Sequence, residues 1–79
     1  MDATLEEVVR VVRETGGLKE LNPDADFYDQ GFSSVSALQL LIEVEEQFGV
    51  TIPDDAFVKA RSARDLAALV SSLKGSGAP

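Results

Sequence analysis

Apolar residues recur at helical spacing in three stretches of the 79-residue chain, and this pattern predicts three main helices. The first helix places one apolar stripe at the i, i+3, i+4 and i+7 positions, formed by Leu5, Val8, Val9 and Val12. Thr4 and Glu7 have the spacing of a capping box, and Gly16 and Gly17 are expected to stop the helix, with Gly16 as a left-handed cap. Val11 lies off the stripe, which indicates that this helix is buried on more than one side.

The second helix is predicted from about Ser34 to Phe48, because this stretch has no internal glycine or proline and Gly49 follows it. A helical wheel divides its apolar residues into two groups. The group expected to face the core contains Ala37, Leu40, Leu41, Val44 and Phe48. The second stripe lies on the side of Ser34, with Glu45 between the groups, and contains Val35, Leu38 and Ile42. This stripe is either covered by another segment or exposed as an apolar docking patch with an acidic rim.

The other segments complete a helical domain. Residues 17–33 lack periodicity and predict a long loop, pinned to the core by Leu18, Leu21, Phe27 and Phe32. A short helix is expected over 54–60, and the last helix begins after Ser62 as cap, with Asp65 as its capping partner. Its buried stripe consists of Leu66, Leu69, Val70 and Leu73. We therefore predict an all-α four-helix bundle, with three main helices, one short helix and a long loop between helices 1 and 2. One domain is expected over 1–74, with a flexible tail over 75–79.

Charge and composition restrict the class of partner. Fourteen acidic residues against seven basic ones give a net charge of -7. This charge repels nucleic acid and anionic lipid, and it either attracts basic protein surfaces or merely aids solubility. No apolar run approaches the roughly 20 residues that a bilayer requires, and the start does not resemble a signal peptide. We expect a cytoplasmic protein with neither nucleic acid nor membrane as a partner.

The sequence predicts no catalysis by the chain itself. A nucleophilic serine needs a base, the chain has no histidine, and neither Lys59 nor Lys74 has S-x-x-K spacing to Ser33 or Ser34. A metal site is not expected either, because the acidic stretch lacks the glycine and glutamate of a calcium loop; its carboxylates are Asp24, Asp26 and Asp29. The paired serines are therefore expected to cap a helix or to be modified by another enzyme.

The stretch "DADFYDQGFSSVSALQLLIEVEEQFGVTIPDD" resembles the acyl carrier protein family, and the likeness extends from about Leu5 to Leu73. It is carried by Phe27, Gly31, the Ser34-Val35 pair, "EVEEQFGVTIPDD" and "ARSARDLA". The resemblance implies a carrier domain whose Ser34 receives 4'-phosphopantetheine from coenzyme A and whose arm holds a thioester. Ser33 and Val35 stand where the family usually has aspartate and leucine.

The resemblance also implies the partners. They are a phosphopantetheinyl transferase, a loading ligase or acyltransferase, and downstream synthase or transferase enzymes, which a monomeric carrier contacts transiently. The second helix is the family's recognition helix, so the expected docking residues are Val35, Leu38, Ile42, Glu43, Glu45 and Glu46, with Asp55 as a further acidic residue. Fatty acid, polyketide and nonribosomal peptide synthesis stay open, and "GFSS" is similar to freestanding carriers of an amino acid or unusual starter unit. The alternative is an unmodified helical adaptor.

Overall fold

The computed structural model describes residues 3–76, with side chains over 3–75. Four α-helices follow one another along the chain: α1 (Ala3–Gly16), α2 (Ala37–Phe48), α3 (Asp54–Lys59) and α4 (Ala63–Ser76). Two short 3-10 helices lie between α1 and α2, at Phe27–Gln30 and Ser34–Ser36. The described residues form no strand, only an isolated bridge between Asp26 and Ser62. The predicted all-α bundle with one short helix and a long first loop is confirmed.

The core lies where α1 packs against α2 and α4. Its largest fully buried side chains are Phe27, Leu40, Leu66, Val8, Val12, Val44 and Val70. Each such side chain stabilises the fold by about 1.5–3 kcal/mol through removal from water. Val11 is buried as well, which confirms that α1 is covered on more than one side.

The helix α1 stops at Gly16 and Gly17 as predicted, but the predicted capping roles of Thr4 and Gly16 are wrong. Ala3 is already helical, so Thr4 lies inside the helix rather than at its cap. The left-handed residue after α1 is Gly17, with φ of 67°, and Gly16 is the last helical residue. Gly16 is needed for another reason, because a Cβ there would lie 2.6 Å from the Phe32 ring.

The later helix ends are closer to expectation. Gly49 is left-handed, with φ of 65°, and its N–H donates to the Glu45 carbonyl. The Ser62 hydroxyl accepts a bond of 3.1 Å from the Asp65 N–H, which confirms the predicted cap of α4. However, α4 continues through Gly75 to Ser76, two residues beyond the predicted domain end, and residues 77–79 of the predicted tail lie outside the described residues. Within 3–76, no helix has the length and apolarity to cross a membrane.

The long loop is more ordered than its sequence predicts. It contains the 3-10 helix Phe27–Gln30, and the rings of Phe27, Tyr28 and Phe32 pack with centroids 4.7–5.8 Å apart. The Gln30 side-chain amide bonds the backbone of the loop, accepting from the Asn22 N–H at 2.7 Å and donating to the Asn22 carbonyl at 3.0 Å. The four apolar residues expected to pin the loop are buried or packed against the core, as predicted; they are Leu18, Leu21, Phe27 and Phe32.

Two ion pairs fasten this loop to the junction of α3 and α4. The Arg61 Nε donates to Asp26 Oδ2 at 2.7 Å, and the Arg64 Nε donates to Asp24 Oδ1. Backbone bonds reinforce them, from the Phe27 N–H to the Arg61 carbonyl at 2.8 Å and from the Arg64 N–H to the Pro23 carbonyl at 2.9 Å. The loop thus delivers the chain to the start of α2 from a fixed direction.

Candidate functional site

The two serines have different roles at the start of the second helix. The Ser33 hydroxyl accepts a bond of 3.2 Å from the Val35 N–H, and the Ser33 carbonyl accepts from the Ser36 N–H at 2.9 Å. Ser33 is therefore the N-cap, as predicted, although it caps a 3-10 turn (Ser34–Ser36) and α2 itself begins only at Ala37. Ser34 is the first residue of that turn.

The Ser34 side chain is exposed, and its hydroxyl has no hydrogen-bond partner among the described residues. The start of a helix carries a partial positive charge, which favours a neighbouring phosphate group. Of the paired hydroxyls, one is thus engaged in capping and the other is available to an approaching enzyme. The arrangement fits a covalently attached phosphate ester at Ser34 better than one at Ser33.

The second apolar stripe of the helix is exposed, which decides the question that the sequence left open. The exposed fraction is 88% for Val35, 67% for Leu38 and 39% for Ile42. Neither the long loop nor α3 covers them, while Leu40 and Val44 on the opposite side are fully buried. An uncovered apolar patch beside the free serine is typical of a surface that binds another protein.

One further exposed apolar residue, on α3, was missed in the sequence. Val58 on α3 is 68% exposed. Its position in a short helix gave no periodic signal, since six residues provide fewer than two turns.

The predicted acidic residues differ in their surroundings. Glu45 is half-buried, and its Oε2 accepts a bond of 2.8 Å from the Ile52 N–H, so this carboxylate has an intramolecular partner. Glu43 is exposed and accepts from the Gln39 amide at 2.9 Å, on the flank of α2 that faces α1. Glu46 is exposed one turn after Ile42, and Asp55 is exposed in the first turn of α3. Glu46 is therefore an exposed acidic residue one helical turn from Ile42, whereas the Glu45 carboxylate takes part in a hydrogen bond of the fold.

A groove of about 390 Å³ runs between α2 and α3, next to the exposed stripe. The residues that line it are mostly apolar or aromatic: Tyr28, Ala37, Leu38, Leu41, Asp54, Phe57, Val58 and Arg61. Ala37 and Leu38 belong to the first turn of α2, so the groove opens within about one helical turn of Ser34. Its size falls in the range of pockets that hold small molecules.

A charged cluster lines the groove on the side of the long loop. The Arg61 guanidinium lies 4.7 Å above the centroid of the Tyr28 ring and is paired with Asp26. The hydrogen bond from Arg61 lowers the pKa of Asp26. Partial burial of Asp26 has the opposite and smaller effect, and a second hydrogen bond, from the Tyr28 N–H, also lowers this pKa. The same pair raises the pKa of Arg61, and burial raises the pKa of Tyr28. Sequence patterns could not predict this cluster, because Asp26 and Arg61 are 35 positions apart.

Comparison with known proteins agrees with this geometry. The family described as "Phosphopantetheine attachment site" matches residues 4–70. An acyl carrier protein of Rickettsia bellii is 29% identical over 77 residues, covering 94% of this chain and 90% of the relative. A meromycolate extension acyl carrier protein of Mycolicibacterium smegmatis is 28% identical over 81 residues, covering 94% of this chain and 82% of the relative. The solution structure of oxytetracycline acyl carrier protein superimposes with a TM-score of 0.78 at 27% identity, covering 100% of this chain and 90% of that one.

Proposed function

Because this chain belongs to the phosphopantetheine attachment family, as a carrier protein of the acyl carrier type, we propose that its 4'-phosphopantetheine arm is attached at Ser34. In this reaction the Ser34 oxygen forms a bond to the phosphorus of the pantetheine phosphate in coenzyme A. The pyrophosphate bond breaks, adenosine 3',5'-bisphosphate leaves, and the hydroxyl proton passes to a base of the transferase. One observation supports Ser34 rather than Ser33 as the attachment site. The Ser33 hydroxyl caps the helix, while the Ser34 hydroxyl is exposed and has no hydrogen-bond partner among the described residues.

The prosthetic group supplies a terminal thiol that holds cargo as a thioester, and the protein supplies position and electrostatics. We infer that the cargo is an acyl or aminoacyl group of fatty acid, polyketide or nonribosomal peptide synthesis. The names of the relatives, which include a meromycolate extension carrier and an oxytetracycline carrier, support an acyl cargo of one of the first two kinds. The chain itself is proposed to be a monomeric cytoplasmic carrier without catalytic activity.

Carriers of this family interact with phosphopantetheinyl transferases and synthase enzymes. We infer that such enzymes, and a loading ligase or acyltransferase, dock on the exposed stripe of the second helix, formed by Val35, Leu38 and Ile42. Glu46, and more remotely Glu43 and Asp55, would attract basic surfaces of these partners. Glu45 contributes less to docking in this proposal than the sequence suggested, because its carboxylate is bonded to the Ile52 N–H.

Intact mass measurement tests the attachment site. The protein is incubated with coenzyme A and a broad-specificity transferase, and we expect the parent and Ser33→Ala to gain one phosphopantetheine each while Ser34→Ala gains none. Gain by Ser34→Ala but not by Ser33→Ala would transfer the site to Ser33. Absence of gain in the parent would favour an unmodified adaptor that binds partners through the second helix.

A further inference from the structure

The groove between α2 and α3 has a polar feature that a purely apolar ligand would not use. Most of its lining is apolar, with Leu38, Leu41 and Phe57 as its larger aliphatic and aromatic contributors. Arg61 belongs to the same lining. The groove therefore offers apolar walls, the cation of Arg61 and the carboxylate of Asp54 to whatever enters it, within about one helical turn of the proposed attachment site.

Arg61 is held in a fixed place by two contacts. Its Nε donates to Asp26 Oδ2 at 2.7 Å, and its guanidinium plane lies over the Tyr28 ring at 4.7 Å. A guanidinium carries five N–H donors, and in the described part of the chain only the one on Nε has a hydrogen-bond acceptor. The four N–H groups on the two terminal nitrogens are thus available, on a side chain that the ion pair and the aromatic ring already position.

These available donors favour one kind of cargo over another. A saturated chain in the groove would remove water from the guanidinium without replacing its hydrogen bonds, which is unfavourable. A chain with a carbonyl group would accept from the guanidinium and keep its hydrocarbon portion against the apolar walls. Asp26 already balances the charge of Arg61, and Asp54 adds a negative charge to the lining, so a neutral carbonyl fits better than a carboxylate.

We propose that Arg61 is a specificity-determining residue that makes this groove retain keto-acyl cargo in preference to saturated cargo of the same length. The inference rests on the proposed function, since the cargo reaches the groove on the arm at Ser34. Asp26 and Tyr28 act through Arg61 as positioning residues. The expected preference is about fivefold, the ratio that corresponds to one net hydrogen bond at a partly exposed site.

The test compares two cargoes on the parent protein. A broad-specificity transferase and the acyl coenzyme A thioesters load octanoyl or a keto-octanoyl group with its carbonyl midway along the chain, and intact mass confirms loading. The rate of thioester exchange with excess dithiothreitol, which leaves the ketone intact, is then measured and divided by the rate for the same acyl group on free pantetheine. We expect the keto cargo to be protected about fivefold more than the saturated cargo. Equal protection, or better protection of the saturated chain, would overturn the inference.

Two variants assign the effect to Arg61. Arg61→Met keeps an unbranched apolar side chain about as long as the aliphatic part of arginine but removes the donors, and we expect the ratio of protection between the two cargoes to fall to about one. Arg64→Met is the matched control, because Arg64 also pairs with the loop, through Asp24, but does not line the groove. Arg64→Met should keep the parent ratio. Loss of the ratio in both variants, or in neither, would contradict the role of Arg61.

The parent comparison needs no variant, so it decides the question even if Arg61→Met does not fold. NMR supplies a second reading, since the Arg61 Nε–H and the Leu38, Leu41 and Phe57 amides should shift more with the keto cargo. If the parent accepts no phosphopantetheine at Ser34, the proposed function fails and this inference fails with it. A parent that loads both cargoes but shows no preference contradicts the role of Arg61 alone.

Discussion

The two apolar faces of α2 have similar composition and opposite surroundings. Leu40 and Val44 on one face are fully buried, because α1 and the rest of the core cover them. Leu38 on the other face is 67% exposed, and Val35 in the 3-10 turn before α2 is 88% exposed. Hydrophobicity alone thus does not tell whether a leucine stabilises the fold or is available to a partner. What distinguishes them is whether another segment of the same chain lies within contact.

The largest expected effect comes from exchanging one leucine on each face for alanine. Leu40→Ala should lower the free energy of unfolding by about 2–5 kcal/mol, because it leaves a cavity in the core. Leu38→Ala, which removes the same atoms from the exposed face, should change it by less than about 0.5 kcal/mol. Denaturant unfolding followed by circular dichroism measures both. Similar losses in the two variants would remove the distinction between the faces.

The second effect concerns docking rather than stability. Leu38→Ala should lower kcat/KM for a phosphopantetheinyl transferase about tenfold, since an anchor in the centre of an interface contributes more than 1 kcal/mol. The control is Val58→Ala, because Val58 has nearly the same exposed fraction, 68% against 67%, but lies on α3 across the groove. We expect less than about a twofold change for Val58→Ala. An equal loss would extend the docking surface to α3.

A smaller effect separates charge from apolar contact on the same face. Glu46→Lys should slow modification by the transferase about two- to fivefold at low salt, and the difference should shrink at high salt as screening increases. Glu6→Lys makes the same change of charge on an exposed residue of α1. If the Glu6 variant is slowed as much as the Glu46 variant, the effect belongs to net charge and not to the second helix.

The smallest effect tests how the other side of the groove is held. Hydrogen bonding from Arg61 lowers the pKa of Asp26 below its usual value of about 3.9, so the ionised carboxylate stabilises the fold at pH values above about 4. This contribution is lost as the pH falls through the lower pKa of the folded state. The difference in unfolding free energy between the parent and Asp26→Asn should therefore be greatest above about pH 5 and shrink below about pH 4. A difference that is independent of pH would contradict the ion pair.

Local patterns of the sequence predicted the helices and the free serine. The period of the apolar residues is a property of each helix alone, so the stripe of Leu66 and Val70 in α4 could be found without knowing what it packs against. The same holds for the cap at Ser62, whose partner Asp65 lies three residues away. The wheel of the second helix also separated its two faces, although it did not tell whether the outer one was covered.

Contacts between distant residues could not be predicted in this way. The pairing of Arg61 with Asp26 and its stacking on Tyr28 join positions more than 30 residues apart. The 3-10 helix Phe27–Gln30 depends on these contacts and on its aromatic packing. Its sequence alone therefore predicted an irregular loop. The approach of Phe32 to Gly16 is likewise a contact between distant residues that no local rule contains.

The bond between Glu45 and the Ile52 N–H has a practical consequence for protein engineering. A chimera that replaces the second helix of another carrier with that of this protein would end its graft at the left-handed Gly49, if the helix boundary were followed. Such a junction separates Glu45 from the Ile52 N–H that donates to it, so the half-buried carboxylate keeps a donor only where the host loop places a backbone N–H at the same point. The segment to be transferred therefore extends to Ile52, four residues past Phe48, the last residue of α2.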